Sequence, residues 1–348
     1  PKRWIGALEQ IAKEQGFLYY NLEITPISTD GANYSSLLYK AKIAEGKRVI
    51  NLFIKVAAMT EQTRESIGLK MYEEEQYVYT QMKSKFRDLE NKFNVPEEER
   101  LIMPEFYGAI TTSGSEMLVL EDLTARGLGS YDRLKPVDWN YASGAIKELA
   151  KFHALTMAFQ KEYPKNHEEF LGKFTLPPRK DNAMFEIFYK SGCDRAVKTI
   201  QDEEKREKLR IFFDQFTSET MGELYKPIDK LVLMHSDYRA SNLMHRYREV
   251  SSEISDDVFL LPQYFDQLVE CYFSQLKATM TKFGLTDDDY SRKEFDHELK
   301  EVRFYTMCFD EGIVTKGGCS RRLAVRSRDG SLVLYNYLFS QFVQYSLL

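Results

Sequence analysis

His235-Ser236-Asp237-Tyr238-Arg239-Ala240-Ser241-Asn242 is the stretch on which the reading of the fold turns. It leaves the apolar run Leu231-Val232-Leu233-Met234 and enters Leu243-Met244, giving the pattern H-x-D-x4-N where a strand is expected to end. Phosphoryl transfer needs an acidic group beside an attacking hydroxyl and an oxygen ligand for Mg²⁺ close by. An Asp and an Asn five residues apart on one loop meet that need. Taken alone, the pattern reads equally well as an Asp capping a turn and an Asn capping a helix. What stands upstream decides between the two.

Lys55 sits inside Val49-Ile50-Asn51-Leu52-Phe53-Ile54-Lys55-Val56-Ala57. A lone Lys in so apolar a strand is costly unless something uses or neutralises its charge. By itself it reads as a snorkelling residue on an edge strand. Twenty residues on, Met71-Tyr72-Glu73-Glu74-Glu75-Gln76-Tyr77-Val78-Tyr79 is predicted to be helical. A Lys on the third strand and a Glu on the following helix form the ion pair that positions ATP phosphates in kinase-type sites. The pattern leaves open which of Glu73, Glu74 and Glu75 pairs, and a solvated acidic face is the plain alternative. Upstream, Gly31-Ala32-Asn33-Tyr34-Ser35-Ser36 joins two strands, where backbone N–H groups can cradle phosphate; an ordinary hairpin reads as well. Downstream, Met117-Leu118-Val119-Leu120-Glu121-Asp122-Leu123 is an apolar strand that becomes an extended linker able to offer backbone groups to an adenine. Each signal is weak. Their order is that of a bilobal kinase, and agreement across levels outweighs any one of them.

The coarse pattern agrees. Ile5, Leu8, Ile11 and Ala12 predict a short opening helix. Strands are expected over 17–27, 34–43 and 49–57, a charged helix within 61–92, and strands over 105–112 and 116–122. The turn signal Ser28–Asn33 separates the first two strands. Beyond a boundary near 123–131, helices are expected over 138–159, 182–198, 203–224, from Phe265 to Met280, and over 293–307, with a strand end at 230–234. The expected fold class is α+β: a protein kinase-like bilobal fold with a small antiparallel N-terminal lobe over 1–123, a hinge at 118–124, and a helical lobe over 124–348 that carries the 235–242 loop.

Composition bounds the partners. The chain has 348 residues, 43% of them hydrophobic, enough for a sizeable core. With 48 basic and 53 acidic residues its net charge is −5, so nothing argues for nucleic acid as a partner. Cys193, Cys271, Cys308 and Cys319 form no CxxC pair and read as scattered reduced thiols. No apolar run approaches the ~18 residues of a membrane span. The opening Pro1-Lys2-Arg3-Trp4 leads into an amphipathic pattern and not a signal-peptide core. A cytoplasmic protein is expected. The basic and aromatic tail over 317–348 has no functional reading, and oligomeric state is not legible.

The residues quoted above resemble the ecdysteroid kinase-like family, within the choline kinase and aminoglycoside phosphotransferase group. The resemblance is carried by Asn33-Tyr34-Ser35-Ser36, Phe53-Ile54-Lys55-Val56, Glu75 with Tyr79, Leu118 through Leu123, Leu149-Ala150-Lys151-Phe152-His153-Ala154, and His235 through Asn242. It runs from about residue 5 to 305, and Glu121-Asp122-Leu123 with Phe152-His153-Ala154 sets it apart from protein kinases. It implies ATP-dependent phosphorylation of a small-molecule hydroxyl, with ecdysteroids as the substrate class. It implies a catalytic set of His235 and Asp237, the latter as base, and Asn242 as a Mg²⁺ ligand. Lys55, held by Glu75, would take the α/β-phosphates. Gly31, Asn33, Tyr34, Ser35 and Ser36 would form the phosphate loop, and backbone from Glu121 to Leu123 would bind adenine. His153 would be a structural feature of the family.

The chain departs from the family pattern at Ser236, where Gly is usual, and at Arg239, where an aromatic is usual. The family also carries an Asp-Phe-Gln type motif on a strand about 15–25 residues past the Asn, the counterpart of the kinase D-F-G. Here Asp256 and Asp257 follow no apolar strand, and Phe309-Asp310-Glu311-Gly312 comes too late. Either the chain lacks that strand or a stretch near 248–256 is missing from the sequence; we favour the second, and an intact mass above 40.8 kDa would show it. A kinase-fold protein that binds a small ligand without turnover is the rival reading. A kinase for xenobiotic or choline-like acceptors is a third.

Overall fold

A computed structural model describes residues 2–28, 36–59, 71–131, 139–174, 200–214, 242–246 and 261–299, with single positions at 190, 194, 197, 198, 232, 233, 235 and 238. The fold is α+β, and the chain divides into two compact units: Pro1–Tyr131 with Met244–Val250, and Asp132–Leu243 with Ser251–Leu348.

The first unit opens with α1 (Lys2–Glu14), whose buried Leu8, Ile11 and Ala12 lie on one face at helical spacing. Gly16, at φ +75°, ends it. The N–H of Phe17 reaches back to the carbonyl of Ala12, so Phe17 folds under the helix and not into the strand expected to start there. The strands are β1 (Asn21–Ile27), β2 (Ser36–Glu45), β3 (Arg48–Ala57), β4 (Phe106–Ile110) and β5 (Met117–Glu121). They form one antiparallel sheet in the order β1-β2-β3-β5-β4.

Alternation along the strands separates two faces. On one, Ala41, Ile43, Leu52, Ile54, Met117 and Val119 form a core with Leu8, Ile11, Ala12 and Phe17. On the other, Leu118 and Leu120 pack with Tyr72. Lys55 stands directly opposite Leu118 and so belongs to this second face. The helix packed there is α2 (Met71–Tyr77), which runs through a π-helical stretch (Val78–Met82) into α3 (Lys83–Lys92). Residues 29–35 and 60–70, including the turn and the start of the charged helix expected from sequence, lie outside the described residues.

The second unit is mainly helical among its described residues. Its main helices are α4 (Trp139–Glu162), α5 (Pro164–Phe174), α6 (Glu203–Asp214) and α7 (Leu261–Lys282). Helix α7 packs along α4. A further helical stretch covers 292–299, where Phe295 stacks on Tyr272 with centroids 5.6 Å apart. Of the strand end expected over 230–234, Val232 and Leu233 are described and neither lies in a strand. Sequence patterning carries no hint of the short β7 (Met244–His245), which pairs with β6 (Gly129–Ser130) in the first unit. Two residues are too few to show a period. Among the described residues no helix is long and apolar enough to cross a membrane, and the one described cysteine, Cys271, is free.

Candidate active site

Lys55 and Glu75 meet. The Lys55 ammonium, on the α2 face of β3, pairs with Oε1 of Glu75. The two side chains are 20% and 30% exposed, so the strand's lone charge is neutralised and still reachable from solvent. The other ammonium protons have no hydrogen-bond partner among the described residues. The Lys55 Nζ also lies 5.5 Å from the centroid of the Tyr72 ring. Of the three consecutive glutamates, Glu75 is the one that faces the sheet. It lies three residues beyond buried Tyr72 and four before Tyr79, on one side of the helix. Burial, then the neighbouring Glu75 charge, pushes the Glu74 carboxyl above its ordinary range. The same two causes raise the Tyr79 hydroxyl, which stays protonated.

The segment after β5 is fixed by hydrogen bonds. The N–H of Glu121 donates to the carbonyl of Glu105 at 2.8 Å, and that of Asp122 to the carbonyl of Asn51 at 2.9 Å. Asp122 is buried and caps the short 3₁₀ helix Leu123–Arg126, accepting from the Thr124 N–H at 3.0 Å and the Thr124 hydroxyl at 2.7 Å. Lys40 pairs with its other oxygen at 3.0 Å. Burial pushes the Asp122 carboxyl up, but the bonds from Thr124 and Lys40 outweigh it and hold it below its ordinary value. Gly127, at φ +79°, closes the turn. The Leu123 N–H takes no partner among the described residues, so of the three amides expected at the adenine position it is the donor left over.

In the second unit, Tyr238 is buried and donates its hydroxyl to the carbonyl of Ala145 at 2.7 Å, tying this residue to α4. His235 is exposed, with its ring edge-on to Tyr238 at 5.4 Å. His153, buried on α4, shares a 2.6 Å bond between Nδ1 and the Tyr272 hydroxyl of α7. Burial, then the charge His235 can carry, pushes its imidazole down to about 4. Its Nε2 is buried and has no partner among the described residues. Asn242 is exposed. Gly31, Asn33, Tyr34, Ser35 and Asp237 lie outside the described residues, as does 247–260, where a second metal carboxylate is expected to begin.

A family model describing the ecdysteroid kinase-like family matches residues 30–261, two thirds of the 348-residue chain. The chain belongs to the ecdysteroid kinase-like family. No curated protein matches it. The matched span of this ecdysteroid kinase-like chain includes the Lys55–Glu75 pair, the Asp122 turn and the 235–242 segment. The family is one of kinase-like phosphotransferases.

Sequence reasoning missed the contacts of Tyr72, the Lys40–Asp122 tie and the Tyr238 anchor. The first two join residues far apart in the chain and leave no local pattern. Asp122-Leu123-Thr124 did carry a signal: an Asp two residues before a Thr, just past an apolar strand, is a turn and cap signature. Nucleotide phosphate suits the ammonium of Lys55, a half-shielded cation with donors to spare. Of the ligands expected for a metal ion, the described residues include Asn242 alone. Among them no group of three or more His, Cys, Asp or Glu could hold one, and a single amide oxygen does not make a Mg²⁺ site.

Proposed function

We propose that this ecdysteroid kinase-like chain is an ATP-dependent phosphotransferase acting on a hydroxyl of a small molecule, an ecdysteroid or related sterol. The observation that carries the reading is the ion pair of Lys55 with Glu75, set on the sheet face that α2 covers. A cation fixed in this way can take the α/β-phosphates without its own long side chain having to be ordered at the moment of binding. In this reading the chain is a bilobal kinase-like protein of the cytoplasm. Residues 31–36 form the phosphate loop, and the Leu123 N–H is the hinge donor to adenine. Asp237 accepts the proton of the acceptor hydroxyl as the oxygen attacks, with His235 beside it in the catalytic set. Mg²⁺ would draw on Asn242 and on a carboxylate outside the described residues, and would neutralise phosphate charge.

One feature favours a second reading. No apolar strand ending in Asp follows Asn242 at the family's spacing, which suits a protein that binds ligand without turning over ATP. The purified chain is incubated with Mg-ATP and a hydroxylated ecdysteroid, and ADP release is followed. Turnover that falls about 10²–10⁴-fold in Asp237→Asn, the range a general base commands, supports the phosphotransferase. ATP binding with no turnover supports the second reading. A chain that binds no ATP overturns the phosphotransferase, and binding of the ecdysteroid alone then supports the second reading.

A further inference from the structure

Tyr72 has no role in the set just proposed, yet it contacts two parts of it and shares a helix face with a third. It lies on α2 three residues before Glu75, on the same helix face, and is 4% exposed. Its hydroxyl shares a 3.0 Å hydrogen bond with Oγ of Ser36. Ser36 is itself buried and opens β2, directly after the 31–35 stretch. Its partner across the ladder is Ala57, two residues beyond Lys55 on β3. The ring of Tyr72, in turn, lies within cation–π reach of the Lys55 ammonium at 5.5 Å.

A buried tyrosine needs a partner for its hydroxyl, and any backbone carbonyl would serve. Here the partner is the residue that anchors the end of the phosphate-binding stretch. We infer that Tyr72 is a positioning residue for nucleotide binding. Its hydroxyl ties the base of that stretch, through Ser36, to the helix carrying Glu75, and its ring backs the ammonium that Glu75 holds. The inference rests on the phosphotransferase reading of the Lys55–Glu75 pair. It joins Ser36, the strand cation and the helix carboxylate as one body, so that ATP meets them already placed.

The test compares the full chain with Tyr72→Phe, Ser36→Ala and the double variant. ATP affinity is read with a fluorescent ATP analogue, KM for the acceptor by ADP release, and folding by thermal midpoint. Phe keeps the packing against Leu118 and Leu120 and removes only the hydroxyl. Each single change is expected to weaken ATP binding about five- to tenfold, the range of one neutral hydrogen bond, with the acceptor KM within about twofold. The double variant should bind no more weakly than the weaker single, since both remove the same bond. Unchanged ATP affinity in Tyr72→Phe, additive losses, or a lowered midpoint with affinity intact overturns the inference and leaves the phosphotransferase reading standing. A wild-type chain that binds no ATP overturns both.

Discussion

Replacing Asp122 by Ala removes a helix cap and an ion pair at one stroke. The carboxylate accepts from the Thr124 N–H at 3.0 Å and the Thr124 hydroxyl at 2.7 Å, and pairs with Lys40 at 3.0 Å. A lost cap costs about 1 kcal/mol. The Lys40 side chain is 40% exposed and regains water when the pair is broken, so the pair is worth up to about 1 kcal/mol despite the burial of Asp122. The hydroxyl bond to a charged acceptor adds about 1 kcal/mol, discounted because Thr124 is exposed. Loss of about 2–3 kcal/mol is expected. The assay is urea unfolding read by Trp4 fluorescence in a Trp139→Phe background, the chain having two tryptophans. The midpoint should fall with the denaturant slope unchanged. The pH dependence carries the sign. Because the folded carboxyl is held low, its stabilisation is fully present above the unfolded value of about 3.9 and is lost as pH falls through the folded one. The gap between wild type and variant should therefore be the same at pH 7 and pH 5. A gap that widens from pH 7 to pH 5 would mean that burial wins over the hydrogen bonds and raises the carboxyl, and the account of the turn given above would be refuted.

Three further outcomes are expected. Glu75→Gln leaves a neutral isostere beside Lys55; kcat/KM for ATP should fall about tenfold or more, while stability moves by less than about 1 kcal/mol because both partners are partly exposed. His153 is held neutral by burial, so the unfolded chain takes up its proton first, below about pH 6.5, and the folded one at about 4. Stability should thus drop by up to about 1.4 kcal/mol per pH unit across that window more steeply in wild type than in His153→Phe, and parallel slopes would count against the burial argument. Lys83 is buried and donates to the Pro104 carbonyl at 2.9 Å and to Glu105 at 2.7 Å. Lys83→Met should cost about 1–2 kcal/mol in urea, since it leaves that carbonyl unpaired.

How much of this was legible in the sequence varies with the range of the interaction. Strands β2, β3 and β5 were readable within one or two residues, because period-2 alternation is local. The strand expected to begin at Phe17 begins instead at Asn21: the left-handed Gly16 turns Phe17 back under α1, a tertiary contact that strand propensity cannot register. Lys55 stood out because one charge in an apolar strand is anomalous wherever it points. Its partner could not be chosen among Glu73, Glu74 and Glu75, because helix phase has meaning only once the sheet face is known. Tyr72 and Ser36 lie 36 residues apart and carry no mutual signal. The segment that holds Asp237 was the most informative in the sequence, and its role rests on pattern and family.

The π-helical stretch over Val78–Met82 has a consequence for how this helix can vary. Each residue of an α-helix advances the side-chain direction by ~100°. A widened turn between Glu75 and Lys83 therefore sets the phase at which the two ends face different walls, one toward the β3 cation and the other toward the start of β4. Shortening the segment by a single residue would rewind it as ordinary α-helix with both anchors near their present phase, whereas the same change elsewhere between them would swing one anchor away from its target. Elsewhere between the anchors, point substitutions should be far better tolerated than any change of length.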